Sequence, residues 1–209
     1  MIEATDVLKR LRDGNSRFVA GVRSSNTIPD PERRRELLLE GQNPFAVILG
    51  CSDSRVPAEM IFDQGLGDLF VIRIAGNIVA PSQIGSIEFA VERFGTPLVV
   101  VMGHTNCGVV AATLEQIQKP QENQSRNLRS IVERIRPFVE PLVATELRND
   151  PVALLKQAVR VNIRVSVNQL QHGSEVIERL VNREELVIVG AEYSLETGQV
   201  EFFDPPSDE

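Results

Sequence analysis

The sequence has few of the side chains that bind soft metal ions or form disulfides. Among 209 residues there are two cysteines, two histidines, one tyrosine and no tryptophan. Two cysteines cannot form the disulfide network that stabilises small secreted domains. Any chemistry that needs a thiolate or an imidazole must therefore use Cys51, Cys107, His104 or His172.

The sequence also lacks an excess of basic charge and lacks long apolar runs. Its 22 basic and 29 acidic residues give a formal charge of −7, which excludes a domain-wide basic surface for nucleic acid or anionic lipid. The longest apolar runs, such as residues 45–49 and 98–102, are far shorter than the roughly 20 residues of a membrane-spanning helix. The N-terminal segment has neither the apolar stretch nor the cleavage site of a secretory signal. These features predict a cytoplasmic protein that binds neither nucleic acid nor membrane.

The apolar segments predict a parallel sheet. Residues 45–49, 69–73, 98–102 and 186–189 are rich in aliphatic side chains and do not alternate with polar ones. Strands that are buried on both faces of a parallel sheet have this composition. Helical patterns at residues 84–94, 110–117, 127–148 and 152–171 lie between the predicted strands. The order of strands and helices predicts an α/β fold with helices flanking a sheet of about four strands.

The two ends of the chain complete a single predicted domain spanning residues 1–209. Residues 1–40 read as an N-terminal helical arm, with an amphipathic first helix and a charged helix at 32–40. Residues 191–195 and 199–203 flank a turn and predict a hairpin that adds an antiparallel C-terminal edge strand. Residues 204–209 are predicted to form a loose tail.

Three of the four soft side chains follow two of the predicted strands. Cys51 comes directly after the first strand, and His104 and Cys107 follow the third. The carboxyl ends of parallel strands meet at one edge of a sheet, so the three side chains converge if these strands are neighbours. Two thiolates and an imidazole suit Zn²⁺, and a set of three leaves the open fourth position of a catalytic site. Two alternatives remain at this stage: buried core cysteines and a redox-active thiol pair.

Asp53 and Arg55 lie two and four residues after the first cysteine. In an extended or turn segment, side chains two residues apart point to the same side and can pair. The pair could simply fix a loop. It could also act as a switch, in which Asp53 either occupies the fourth position of the metal or is held away from it by Arg55.

Three segments together resemble the motifs of the β-class carbonic anhydrases. They are residues 51–56 (CSDSRV), 73–77 (RIAGN) and 103–108 (GHTNCG). The resemblance implies one Zn²⁺ per chain, held by Cys51, His104 and Cys107, and the reversible hydration of CO₂ to bicarbonate. A zinc-bound hydroxide would attack CO₂, with Asp53 as its hydrogen-bond acceptor and Arg55 holding Asp53 in place.

The resemblance also implies a set of substrate-pocket residues. By position, Gln42, Phe70, Ala75 and Phe89 match the pocket of the family. Phe89 stands where the family often has a tyrosine and lacks its hydroxyl group. Plain core packing is an equally good interpretation of both phenylalanines.

Some members of the family close at low pH, with the aspartate on zinc and bicarbonate in a second pocket. Arg73 and Tyr193 match two residues of that pocket, but Ile48 replaces its tryptophan. We predict that Asp53 can become a fourth zinc ligand without the complete pocket.

The resemblance further implies a homodimer or homotetramer with active sites at the subunit interface and the N-terminal helix lying across a partner. Two other functions remain open: a zinc hydrolase of the same fold acting on carbon disulfide or carbonyl sulfide, and an inactive zinc-stabilised scaffold protein. The Asp53–Arg55 pair and Gln42 argue against a scaffold, which needs only metal ligands.

Overall fold

A computed structural model describes residues 2–24, 31–120 and 125–203 of the chain. Five strands form one sheet: β1 (Ala46–Gly50), β2 (Leu69–Arg73), β3 (Leu98–His104), β4 (Val187–Tyr193) and β5 (Val200–Phe203). The α-helices are α1 (Ala4–Val19), α2 (Pro31–Glu40), α3 (Ala58–Ile61), α4 (Pro81–Phe94), α5 (Gly108–Gln118), α6 (Arg126–Val143), α7 (Pro151–His172) and α8 (Glu175–Asn182). Short 3-10 turns lie at Ala75–Asn77 and Glu146–Asn149.

The strand order is β2-β1-β3-β4-β5. The first four strands are parallel, and β5 pairs antiparallel with β4. All residues of β1 and β3 are buried, because helices cover both faces of the sheet. The predicted α/β fold with an antiparallel edge strand is therefore confirmed.

Each face of the sheet packs against its own hydrophobic core. On one face Val7, Leu8 and Leu11 of α1 pack against alternate residues of the strands, including Ile48. On the other face α4, α5, α6 and α7 pack against the remaining strand residues. The N-terminal helix thus buries its apolar side in its own chain, and its predicted position across a partner stays a prediction.

Two glycines let α7 approach the sheet closely. A Cβ atom at Gly103 in β3 would lie 2.6 Å from the Ile163 side chain, and one at Gly190 in β4 would lie 2.9 Å from it. Real Cβ atoms do not approach other atoms this closely. A residue larger than glycine at either position would therefore displace Ile163 and the helix that carries it. Gly190 leaves room for Ile163 from inside β4, and it does not end the strand.

Some predicted boundaries differ from the structure. The predicted segments 186–189 and 191–195 form one strand, β4, which ends at Tyr193. The helix predicted at 127–148 ends at Val143, because the Thr145 hydroxyl accepts a hydrogen bond from Leu147 N and starts a separate turn. The short helix α8 was not predicted, and the predicted tail at 204–209 lies outside the described residues.

Asn15 joins the N-terminal helix to the C-terminal hairpin. Its side-chain amide donates to the carbonyl groups of Ile61 and Gly198, at 3.2 and 2.9 Å, and its Oδ1 accepts from Val200 N at 2.9 Å. The two ends of the described chain are therefore fixed to each other through one buried side chain.

Within the described ranges, no helix has the length and apolar character needed to cross a membrane.

Candidate metal centre

The structure brings Cys51, His104 and Cys107 together at the carboxyl end of the sheet. Strands β1 and β3 are direct neighbours, so the residues that follow them meet. The ligand atoms of the three side chains all lie within 4.8 Å of one another. All three residues are buried, with exposed fractions of 5%, 0% and 2%.

His104 presents one ring nitrogen to the cluster. Its Nδ1 lies 2.9 Å from the carbonyl oxygen of Thr105. A carbonyl oxygen can only accept, so Nδ1 carries the proton of the neutral ring and the lone pair lies on Nε2. Among the described residues, Nε2 is buried without a hydrogen-bond partner. Donation of the Nδ1 proton to a backbone carbonyl orients a histidine for metal binding.

The two thiols differ in their ease of ionisation. Their sulfur atoms lie 4.0 Å apart. The hydrogen bond from Cys107 lowers the pKa of Cys51 to about 4, with help from Gly76 N–H, which donates to Cys51 Sγ at 3.3 Å. The same pairing with Cys51 raises the pKa of Cys107. Without a metal, the pair therefore shares one proton between two sulfur atoms.

His104 is also affected by the neighbouring thiolate. Burial lowers its pKa, but the nearby sulfur of Cys51 and its negative charge act in the opposite direction and leave the pKa raised. The cluster therefore attracts positive charge.

Asp53 and Arg55 form the predicted pair. Arg55 donates from Nε to Asp53 Oδ1 at 2.9 Å and from Nη2 to Oδ2 at 2.7 Å, and its backbone N–H also donates to Oδ1 at 3.0 Å. These hydrogen bonds hold the pKa of Asp53 well below its usual range. Asp53 Oδ2 lies 3.8 Å from His104 Nε2, so the carboxylate faces the ligand cluster while Arg55 binds it.

Arg73 fixes the backbone on which Cys51 and Asp53 lie. It donates from Nε to Cys51 O at 3.1 Å and from Nη2 to Asp53 O at 2.5 Å. Tyr193, the other residue matched to a second bicarbonate pocket, is buried and packs near Phe18 with ring centroids 6.5 Å apart. Ile48, at the position of the missing tryptophan, is completely buried within β1.

The predicted pocket residues do not all lie beside this cluster. Ala75 directly precedes Gly76 and is therefore next to Cys51. Gln42 is exposed and precedes β1, whereas Cys51 follows the same strand. The five residues of β1 between them extend about 16 Å at a rise of about 3.3 Å each. Phe70 lies opposite Val47 early in the strands, and its ring is near Phe89, with centroids 6.2 Å apart.

Sequence reasoning missed two buried polar residues near the site. Asn162 Nδ2 donates to Gly76 O at 2.8 Å, and Ser166 Oγ donates to Asn77 O at 3.0 Å. Both lie on α7, four residues apart, among apolar core residues. The sequence did contain a signal for them, because both are polar residues on the otherwise apolar face of a predicted helix.

The donor set fits zinc. Two Zn–S bonds of about 2.3 Å at a tetrahedral angle place the sulfur atoms about 3.8 Å apart, and the observed separation is 4.0 Å. Nε2 of His104 supplies the nitrogen, and its lack of a protein partner is explained if a metal binds there. His172, at the exposed end of α7, is outside the cluster.

Comparison with known proteins supports the same assignment. The carbonic anhydrase family model matches residues 46–200. A carbonic anhydrase of Mycolicibacterium smegmatis is 42% identical over 195 residues, which cover 92% of this chain and 90% of that protein. Carbonic anhydrase 2 of Mycobacterium tuberculosis is 40% identical over 191 residues, covering 91% and 88% of the two chains.

Solved structures with the same fold include two β-carbonic anhydrases. CcaA matches with a TM-score of 0.75 and 27% identity over 95% of both chains. CafA of Aspergillus fumigatus matches with a TM-score of 0.72 and 28% identity over 83% of both chains. With the family match over most of its length and relatives of 40–42% identity, the chain belongs to the β-carbonic anhydrase family, whose reaction is the hydration of CO₂.

Proposed function

We propose that Cys51, His104 and Cys107 bind one Zn²⁺ and that Asp53 and Arg55 orient the attacking water during CO₂ hydration. The observation that carries the proposal is the convergence of three buried ligand atoms within 4.8 Å, with a carboxylate oxygen 3.8 Å from one of them. A zinc ion in such a site supplies a Lewis acid that makes a water molecule nucleophilic near neutral pH.

Asp53 would act as a hydrogen-bond acceptor in this reaction. Its carboxylate is ionised at neutral pH, because Arg55 donates two side-chain hydrogen bonds to it. Oδ2 keeps a lone pair on the side of His104 and can accept a hydrogen bond from water at the cluster. CO₂ has no hydrogen-bond donor, so a position beside Oδ2 selects water over substrate.

Arg55 would keep Asp53 away from the metal. Three of its N–H groups bind the carboxylate, which supports the state in which the fourth position is open. The closed state, with Asp53 as fourth ligand, would need the carboxylate to move towards the cluster, which the three hydrogen bonds from Arg55 oppose. We therefore assign the observed arrangement to the active form.

We also propose that a second copy of the chain completes the substrate pocket. Gln42 and Phe70 lie towards the amino end of the sheet, while the cluster lies at its carboxyl end. Phe89 is 54% exposed although its ring contacts an aromatic group formed by Phe70 and Phe94. Their position at the other end of the sheet, together with the exposure of Phe89, supports a homodimer or a pair of dimers in which they line the cluster of another subunit. CO₂ is apolar, so the aromatic group suits its pocket.

The thiol ligands support a location in the cytoplasm. Both cysteines are free thiols in the structure, and zinc ligation requires them to remain reduced. A reducing compartment provides that condition.

The proposal is tested by measuring zinc content and CO₂ hydration on the same preparation. Elemental analysis should find one zinc per chain, and stopped-flow measurement with a pH indicator should find hydration well above the buffer rate. Chelation of the zinc should abolish the rate, and readdition should restore it. A zinc-loaded protein with only the buffer rate would contradict the proposed reaction.

A further inference from the structure

We infer that Asn162 and Ser166 of α7 are positioning residues of the metal centre. They hold the turn Ala75–Asn77 so that Gly76 N–H donates to Cys51 Sγ. The inference rests on the zinc ligation proposed above and extends it to residues that touch no ligand atom.

The turn adopts an unfavourable backbone conformation. Gly76 has a φ of 72° and Asn77 has a φ of 44°, so two consecutive residues lie in the left-handed region. This region is open to glycine but costs free energy for a residue with a Cβ atom. Such conformations persist only where surrounding contacts impose them.

The contacts that impose this conformation come from α7. Asn162 Nδ2 donates to the carbonyl of Gly76, and Ser166 Oγ donates to the carbonyl of Asn77, at 2.8 and 3.0 Å. The two donors are one helical turn apart, so they lie on the same side of the helix. They are only 3% and 2% exposed, so bulk water cannot readily replace them.

The close packing of α7 on the sheet allows these contacts. Ile163, next to Asn162, fills the space above Gly103 and Gly190, where any Cβ atom would collide with it. Asn77 Oδ1 also lies 3.3 Å from the position of a Cβ on Gly103. The helix, the turn and strand β3 are therefore packed against one another at the site.

The result of this packing is a hydrogen bond to a ligand sulfur. Gly76 N–H lies 3.3 Å from Cys51 Sγ, inside the buried cluster. A donated hydrogen bond withdraws electron density from a thiolate and fixes its orientation, and both effects change its binding to a metal. Asn162 and Ser166 act on the metal through this N–H group.

The test uses Ser166→Ala and Asn162→Leu, which remove each donor and keep a side chain suited to a helix interior. Wild type and variants are loaded with Co²⁺, whose thiolate-to-metal absorption bands report the electron density on the sulfur ligands. Weakening the N–H···S bond should move these bands to longer wavelength. Zinc affinity, measured by competition with a chromogenic chelator, should change by about tenfold or more.

Thr96→Val provides the matched control. Thr96 is also buried and donates its hydroxyl proton to a backbone carbonyl, that of Pro44 at 2.9 Å, but at the amino end of the sheet. The Thr96→Val substitution should lower the thermal midpoint to a similar extent as Ser166→Ala. It should leave the cobalt bands and the zinc affinity at their wild-type values.

The outcomes separate this inference from the proposed function. If Ser166→Ala is destabilised like Thr96→Val but keeps wild-type bands and zinc affinity, the positioning role is overturned. Ser166→Ala alone decides the result if Asn162→Leu does not fold. If wild type itself binds neither cobalt nor zinc, the proposed metal site is wrong, and the inference falls with it.

Discussion

The two ends of the parallel sheet are built from the same strands but satisfy their polar groups differently. At the amino end, Phe45 N donates to Asp68 O and Thr96 Oγ1 donates to Pro44 O, both at 2.9 Å. At the carboxyl end, the described residues leave three buried atoms unpaired, His104 Nε2, Asn77 Nδ2 and Glu192 Oε1. Polar atoms at that end thus remain available to bind a group that is not part of the described chain.

Left-handed backbone occurs at both ends, including Glu184 with a φ of 60° just before β4 at the amino end. The carboxyl end contains a left-handed Asn77 and a left-handed Asn106, each next to a residue of the metal cluster or its supporting turn. Backbone strain and unpaired buried atoms both cost stability, and they are found together at functional sites. The comparison predicts that substitutions at the carboxyl end change chemistry, whereas those at the amino end change stability alone.

The largest effect is expected from Cys107→Ser. The substitution keeps the shape of the side chain but removes a thiolate ligand, so zinc binding and CO₂ hydration should be lost together. Elemental analysis and stopped-flow measurement report the two losses. Ser54→Ala, on the exposed part of the loop after Cys51, should keep both. Full zinc occupancy in Cys107→Ser would remove Cys107 from the ligand set.

Asp53→Asn should separate metal binding from reaction rate. The amide has nearly the same shape but no charge, and it cannot accept the paired hydrogen bonds of Arg55 at both of its terminal atoms. We expect zinc to remain and kcat to fall about 100-fold, the size of effect seen when one transition-state hydrogen-bonding group is lost. A wild-type kcat in this variant would show that Asp53 only fixes the loop.

Zinc affinity should depend on pH through the thiol pair. The pKa of Cys51 is lowered to about 4 and that of Cys107 is raised, so near pH 7 the first sulfur is ionised and the second carries a proton. Zinc must displace that proton, and affinity should therefore rise about tenfold per pH unit from this group. Calorimetry in buffers of different ionisation enthalpy measures the proton release. No release near pH 7 would contradict the shared proton.

The smallest functional effect is expected from Thr96→Val at the amino end. Losing a hydroxyl that donates to Pro44 O should lower the free energy of unfolding by about 1 kcal/mol. Urea denaturation measures this change, and kcat and zinc content should match wild type. A loss of activity here would show that the two ends of the sheet are coupled.

The sequence allows the metal ligands to be predicted because they sit beside recognisable strands. Cys51 and His104 follow apolar segments too short for helices, and parallel strands place their ends together. Sequence does not give the strand order, which makes β1 and β3 neighbours. The family resemblance implied the set of three ligands without giving that order.

Contacts that depend on distant packing could not be predicted. The Asn162 contact with Gly76 spans 86 residues and requires the space that Gly103 and Gly190 leave for Ile163. The side-chain donors of Arg73 looked like part of a ligand pocket, yet they bind backbone carbonyls. Both cases depend on side-chain direction at the end of a strand or on one side of a helix, which a linear pattern does not contain.

The hydrogen bonds of Asn15 have a consequence for synthesis on the ribosome. Two of its partners, Gly198 and Val200, are translated more than 180 residues after it. Strand β4, which pairs with β3 beside His104, is also made late. Contacts between distant residues delay the completion of a fold until both partners are available. The nascent chain therefore carries its thiol ligands before the structure around them is complete, and stable metal uptake is expected to follow translation of the residues up to β5.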